Sequence, residues 1–141
     1  MGRIAAIDPG EIRVGLAVSD ELKIIARTLP FVDAHGSEET AKRVVEALKD
    51  YEIELILVGR PVHMHGAAAV SAKRSEALAM LLREAGYEVR LVDERLSTVE
   101  ASRKLSNAGM DSRAQRKKID SAAAAVILQA HLDTVSSQGD F

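Results

Sequence analysis

The chain has 141 residues, a formal net charge of −2, 47 % apolar and 3 % aromatic residues, and neither Trp nor Cys. This is enough for one domain with a substantial core; the missing cysteines exclude a disulfide framework and a thiolate metal site, and the charge excludes bulk attraction to nucleic acid. With so few aromatics the core must be built from Ala, Val, Ile and Leu, which suits helices on a sheet and suits poorly the stacking of many bases.

In chain order, Arg3–Asp8 and Val14–Ser19 read as two strands joined by a turn at Pro9-Gly10. The first is apolar on both faces and so belongs inside a sheet covered on both sides. Yet it ends in a carboxylate, Asp8, which is either a turn-former or a ligand. Lys23–Val32 reads as a third strand, weakened at its far end by Pro30. After a polar loop, Ser37 with Glu38, Glu39 and Thr40 marks a helix start. Ala41, Val44, Val45 and Leu48 form its apolar stripe. Ile53–Val58 is a buried strand, Gly59–Gly66 a loop, Ala67–Ala85 a helix stopped by Gly86, and Tyr87–Val92 a fifth strand. Asp93–Ser97 leads into a helix from about Thr98 to Ala108, and a last helix covers Arg113–Leu132. Residues 1–135 make a single domain and 136–141 a flexible polar tail. Asp8 and Glu11 interrupt the N-terminus too early for a secretory signal, and the longest apolar run, Ala122–Leu128, is too short to span a bilayer.

Three strands in succession, then strands alternating with helices, imply a mixed sheet in an α/β domain, its β-helix-β portion parallel with right-handed crossovers. Such sheets expose functional groups at the carboxyl ends of their strands. Asp8 ends the first strand and Asp93-Glu94 the fifth; alternation makes those two acids point apart, so only one faces the side of Asp8. Asp120 lies on the last helix, one turn before Ala124 and on one stripe with Ile127 and His131. A charge on the packing stripe of a small-residue helix is costly unless paired or bound to metal. Acids converging there would suit Mg²⁺. Positive charge is concentrated between Arg95 and Lys118, with seven Lys and Arg against two acids; this is either a phosphate-tracking patch or a solvated helix face. His131 reads as a core histidine, and Ser97 and Thr98 as helix caps.

Four motifs in order carry a family resemblance: Asp8-x-Gly10-x-x-Arg13-Val14-Gly15-Leu16-Ala17-Val18-Ser19-Asp20; Val58-Gly59-x-Pro61-x-x-Met64-x-Gly66; Asp93-Glu94-Arg95-Leu96-Ser97-Thr98-x-Glu100-Ala101; and Lys117-Lys118-Ile119-Asp120-x-x-Ala123-Ala124-x-x-Ile127-Leu128-Gln129. Over roughly residues 3–133 the chain resembles the YqgF (RuvX) family of pre-16S rRNA nucleases, relatives of Holliday junction resolvases. The resemblance implies an RNase H-like fold with strand order 3-2-1-4-5 and helices on both faces. It implies a cytoplasmic nuclease trimming the 5′ end of precursor 16S rRNA, in contact with ribosomal particles. Asp8, Glu94 and Asp120 would be its catalytic acids and hold Mg²⁺ or Mn²⁺. Arg13, Arg95, Lys117 and Lys118 would hold backbone phosphates. The chain departs from the family pattern at Pro9, which stiffens the turn, and at Arg60, His63 and His65, read as tolerated in an exposed loop.

Three other readings stand beside this one. The same fold and acids would serve a resolvase acting on branched DNA. A non-catalytic ribosome-associated RNA-binding module would keep the fold with vestigial acids. The Asp-x-Gly strand-turn-strand also resembles the phosphate loop of the actin, Hsp70 and sugar-kinase group, which binds ATP between two such domains where this length supplies one.

Overall fold

A computed structural model describes residues 2–61, 67–93 and 113–139. Their strands are β1 (Arg3–Pro9), β2 (Arg13–Ser19), β3 (Ala26–Asp33), β4 (Ile53–Arg60) and β5 (Val89–Asp93). They form one sheet in the order β3-β2-β1-β4-β5, with β1 antiparallel to β2 and β2 to β3, and with β4 parallel to both β1 and β5. The helices are α1 (Gly36–Leu48), α2 (Ala67–Glu84) and α3 (Arg113–Gly139).

Alternation along the strands divides the core in two. Ala5, Ile7, Val14, Leu16, Ile56, Val58 and Val89 pack against Ala41, Val44 and Leu48 of α1 and Leu78, Ala79 and Leu82 of α2. Ile4, Ala6, Ala17, Leu55 and Leu57 pack on the other face against Ala123, Ala124, Ile127, Leu128 and Leu132 of α3. Side chains that leave water completely, such as Ile7, Leu16 and Ile56, contribute about 1.5–3 kcal/mol each. On the α3 face small residues meet small residues, so the helix lies close to the sheet, chiefly across β2 and β3. The five-stranded mixed sheet with helices on both faces is the expected architecture.

Two polar side chains of α3 fix its position. β2 and β3 lose register between Val14, which pairs with Val32, and Leu16, which pairs with Leu29, so Pro30 and Phe31 bulge opposite Gly15. Proline has no N–H to give the ladder. Ser121 enters the gap: its hydroxyl donates to the Leu29 carbonyl at 2.6 Å and accepts from the Leu16 N–H at 3.3 Å. Two turns on, the Gln129 amide accepts from Ala26 N–H and donates to the Ile24 carbonyl, both at 2.9 Å.

Element ends differ from the sequence reading in several places, and β4 runs on through Gly59 and Arg60, which the sequence reading sets in a loop. β3 starts at Ala26, not Lys23, because the Asp20 carboxylate accepts from the N–H groups of Ile24 and Ile25 and Lys23 takes a φ of 60°, which makes 20–25 a turn. α1 begins at Gly36 behind His35 rather than at Ser37; the Thr40 hydroxyl accepts from the His35 N–H at 2.9 Å. β5 is Val89–Asp93 rather than Tyr87–Val92. α3 continues past Leu132 to Gly139, through the first residues read as tail. The helix expected over Thr98–Ala108, and His63 and His65, lie outside the described residues.

Candidate active site

Asp8 is the next-to-last residue of β1, the central strand, and is 7 % exposed. Its neighbours on the strand, Ile7 in the α1–α2 core and Ala6 in the α3 core, set its side chain on the α3 face by alternation. On one side it pairs with Gly15 of β2. On the other, Ile7 pairs with Val58, which brings Gly59 of β4 alongside, and Gly59 pairs with Val92 of β5. Ala17 and Val92 belong to the α3 core, so Gly15, Asp8, Gly59 and Val92 form one row on one face. Asp8 therefore stands between two residues with no side chain. Neither neighbour on the row carries a side chain beyond its backbone, while the Asp8 carboxylate itself is buried.

The turn next to it is tight. A Cβ on Gly10 would collide with the Arg13 carbonyl, so glycine is required where the chain leaves β1 and returns as β2. Arg13 opens β2 at the same end of the sheet, is exposed, and carries its guanidinium 4.8 Å from the centroid of the Phe31 ring. By alternation from Val14 it shares the face of Asp8.

Asp120 lies in α3, one residue before Ser121 and one turn before Ala124, whose side chain is buried against the sheet. The Ser121 bonds to Leu16 and Leu29 place this turn of α3 over the β2–β3 bulge, next to the Gly15 that pairs with Asp8. The backbone thus brings Asp8 and the Asp120 segment together from opposite ends of the chain. Lys117 and Lys118 lie one turn earlier on the same helix. Glu94 and Arg95 lie outside the described residues, immediately after Asp93 at the end of β5. Asp93 pairs with Arg60, and alternation from Val92 sets it on the α1–α2 side. Among the described residues no three acidic or imidazole side chains gather around one point.

Arg60 is turned away from this row: its Nη1 meets Glu76 Oε1 of α2 at 3.1 Å, on the opposite face. The sequence reading missed Ser121, whose role depends on a bulge 90 residues away. Pro30 was the available signal, since it forecasts a break in the ladder. His131 is half-buried, and its pKa lies below the ordinary value of 6.5 through burial and then the nearby Arg90 charge. Asp8, the described carboxylate on this face, is an oxygen donor of the type that Mg²⁺ and Mn²⁺ accept.

A family model described as "RuvX: Holliday junction resolvase" matches residues 2–134. A protein of Anaeromyxobacter dehalogenans, named "Putative pre-16S rRNA nuclease", is 41 % identical over 132 residues, covering 93 % of this chain and 96 % of that one. One of the same name from Dictyoglomus thermophilum is 35 % identical over 135 residues, with 95 % and 97 % covered. Among solved structures, Thermus thermophilus RuvC bound to a Holliday junction substrate superposes with a TM-score of 0.59 at 18 % identity, covering 99 % of this chain and 97 % of that one. The fowlpox virus resolvase does so with 0.52 at 10 % identity, with 94 % and 98 % covered. At such identities the likeness is one of fold, the RNase H-type sheet of the resolvases. With its matching model spanning nearly the whole sequence and its relatives aligned end to end, the chain belongs to the RuvX family.

Proposed function

We propose that this protein is a divalent-metal-dependent endonuclease that cuts precursor 16S rRNA near its 5′ end, in the cytoplasm and in contact with ribosomal particles. The observation that carries the reading is the glycine-flanked Asp8: a buried carboxylate in the middle of the sheet, at the carboxyl end of its central strand. The relatives' shared name supports the substrate.

In this reading Asp8, Glu94 and Asp120 hold Mg²⁺ or Mn²⁺. Asp93 faces the α1–α2 side, and Glu94 is the acid that the family motif sets next to it after β5. The β1 and β5 ends are two strand spacings apart, about 10 Å, a gap the longer glutamate is suited to narrow. A divalent ion supplies a nucleophilic water at neutral pH and neutralises charge on the leaving oxygen. Arg13, Arg95, Lys117 and Lys118 hold the phosphates on either side, which fixes the scissile bond over Asp8.

Branched DNA is the second reading, favoured by the family description. Purified protein with Mn²⁺ is given precursor rRNA or a four-way DNA junction, with Glu94→Gln alongside. Cleavage of the RNA by the native chain and its loss in Glu94→Gln is the expected outcome. Cleavage of the junction alone transfers the assignment to the resolvases, and no cleavage of either sinks it.

A further inference from the structure

Phe31 is one of only four aromatic residues in the chain, and it joins neither hydrophobic core. It sits half-buried on the edge strand β3, within the bulge opposite Gly15, and Gly15 pairs with Asp8. Phe31 therefore stands at the β3 end of the row that runs through the candidate active site, two strand spacings or about 10 Å from Asp8 along the sheet. Arg13, on Asp8's face, lies over the ring at 4.8 Å from its centroid. Next to it Ile12 is 72 % exposed at the turn. On its other side Phe31 lines a shallow groove with Lys42 and Arg43 but also Asp33, Glu39 and Glu46.

We propose that the Arg13–Phe31 stack holds one unpaired nucleobase of the substrate strand. Aromatic rings and guanidinium planes are the two surfaces on which single-stranded bases stack; here they are combined, with an exposed apolar side chain beside them. The mixed charge of the groove disfavours a phosphate and leaves a neutral, flat group as the better occupant. The composition, too poor in aromatics to stack many bases, is consistent with a single platform at the rim. The stack rests on the nuclease reading for its place beside a cut, but its occupancy is measurable without cleavage.

The chain has no Trp, so Phe31→Trp introduces a unique fluorophore. It is titrated without divalent metal with a twelve-nucleotide single-stranded RNA and with the same sequence fully paired. The stack gives quenching that saturates with the single strand and none with the duplex. In parallel, Phe31→Leu, which keeps an apolar side chain for the fold but removes the ring, weakens single-strand binding by roughly 5- to 100-fold. Its slope of log affinity against log salt changes by less than about one, because Arg13, set against a phosphate in the proposed function, keeps its charge. Equal quenching by both RNAs, or native affinity in Phe31→Leu, overturns the proposal. Because neither measurement requires cutting, a protein that fails the cleavage assay can pass this one, and a competent nuclease can fail it.

Discussion

Ser121 shows how one side chain ties a distant helix to the place where chemistry is proposed. Its hydroxyl serves two backbone groups that the Pro30 bulge removes from the ladder, Leu16 N–H and Leu29 C=O, and the residue is fully buried. Ser121→Ala leaves both without that partner in a dry place, at a cost of about 1–3 kcal/mol. For a chain of this size that is a melting point lowered by roughly 4–10 °C, readable in a thermal melt without metal. An unchanged melt would mean that the bulge relaxes and finds other partners. Asp8 was legible as a candidate because a carboxylate ending an apolar strand is conspicuous. Its glycine neighbours were visible as letters, but their placement on either side of it follows only from the register of three strands.

At the scale of elements, apolar alternation made the strands and their two-faced burial legible, and it failed where local hydrogen bonds overrode it. Ile24 and Ile25 look like strand residues, but the Asp20 carboxylate holds their N–H groups and leaves both exposed. The end of α3 was hidden for the opposite reason. Polar residues past Leu132 continue the helix to Gly139, with the Thr134 hydroxyl donating to the Ala130 carbonyl and Gln129 to Asp133 at the point where the apolar stripe ends. His131 on that helix gives the element a pH dependence. Burial disfavours its imidazolium and the Arg90 charge adds repulsion, so its folded pKa lies below the ordinary 6.5. The unfolded chain then takes up the proton first. The contribution is present above pH 6.5 and lost as pH falls below it toward the folded value. His131→Gln removes this part of the acid sensitivity: between pH 7.5 and 5.5 its melting point falls less than that of the native chain. Parallel curves would show that the histidine is equally comfortable in both states.

For the whole molecule, the sheet order places the carboxyl ends of β1, β4 and β5 side by side, and α3 crosses above β2 and β3, tied to Leu16 and Leu29 through Ser121. Residues separated by more than a hundred positions are thereby brought to one rim. A meeting of Asp8, Glu94 and Asp120 is what the family resemblance implies, and spacing alone does not give it, since side-chain meeting points depend on register and helix placement. The central claim is that carboxylates from β1, the end of β5 and α3 jointly hold a divalent ion. Its most direct test is the Mn²⁺-induced shift in melting temperature of the native chain beside Asp8→Asn, Glu94→Gln and Asp120→Asn. An ion at a hundred times its dissociation constant stabilises by about 2.7 kcal/mol, or roughly 10 °C here; the native chain shows that rise and each variant loses most of it. A rise of the same size in all four proteins, or none in the native chain, contradicts the account.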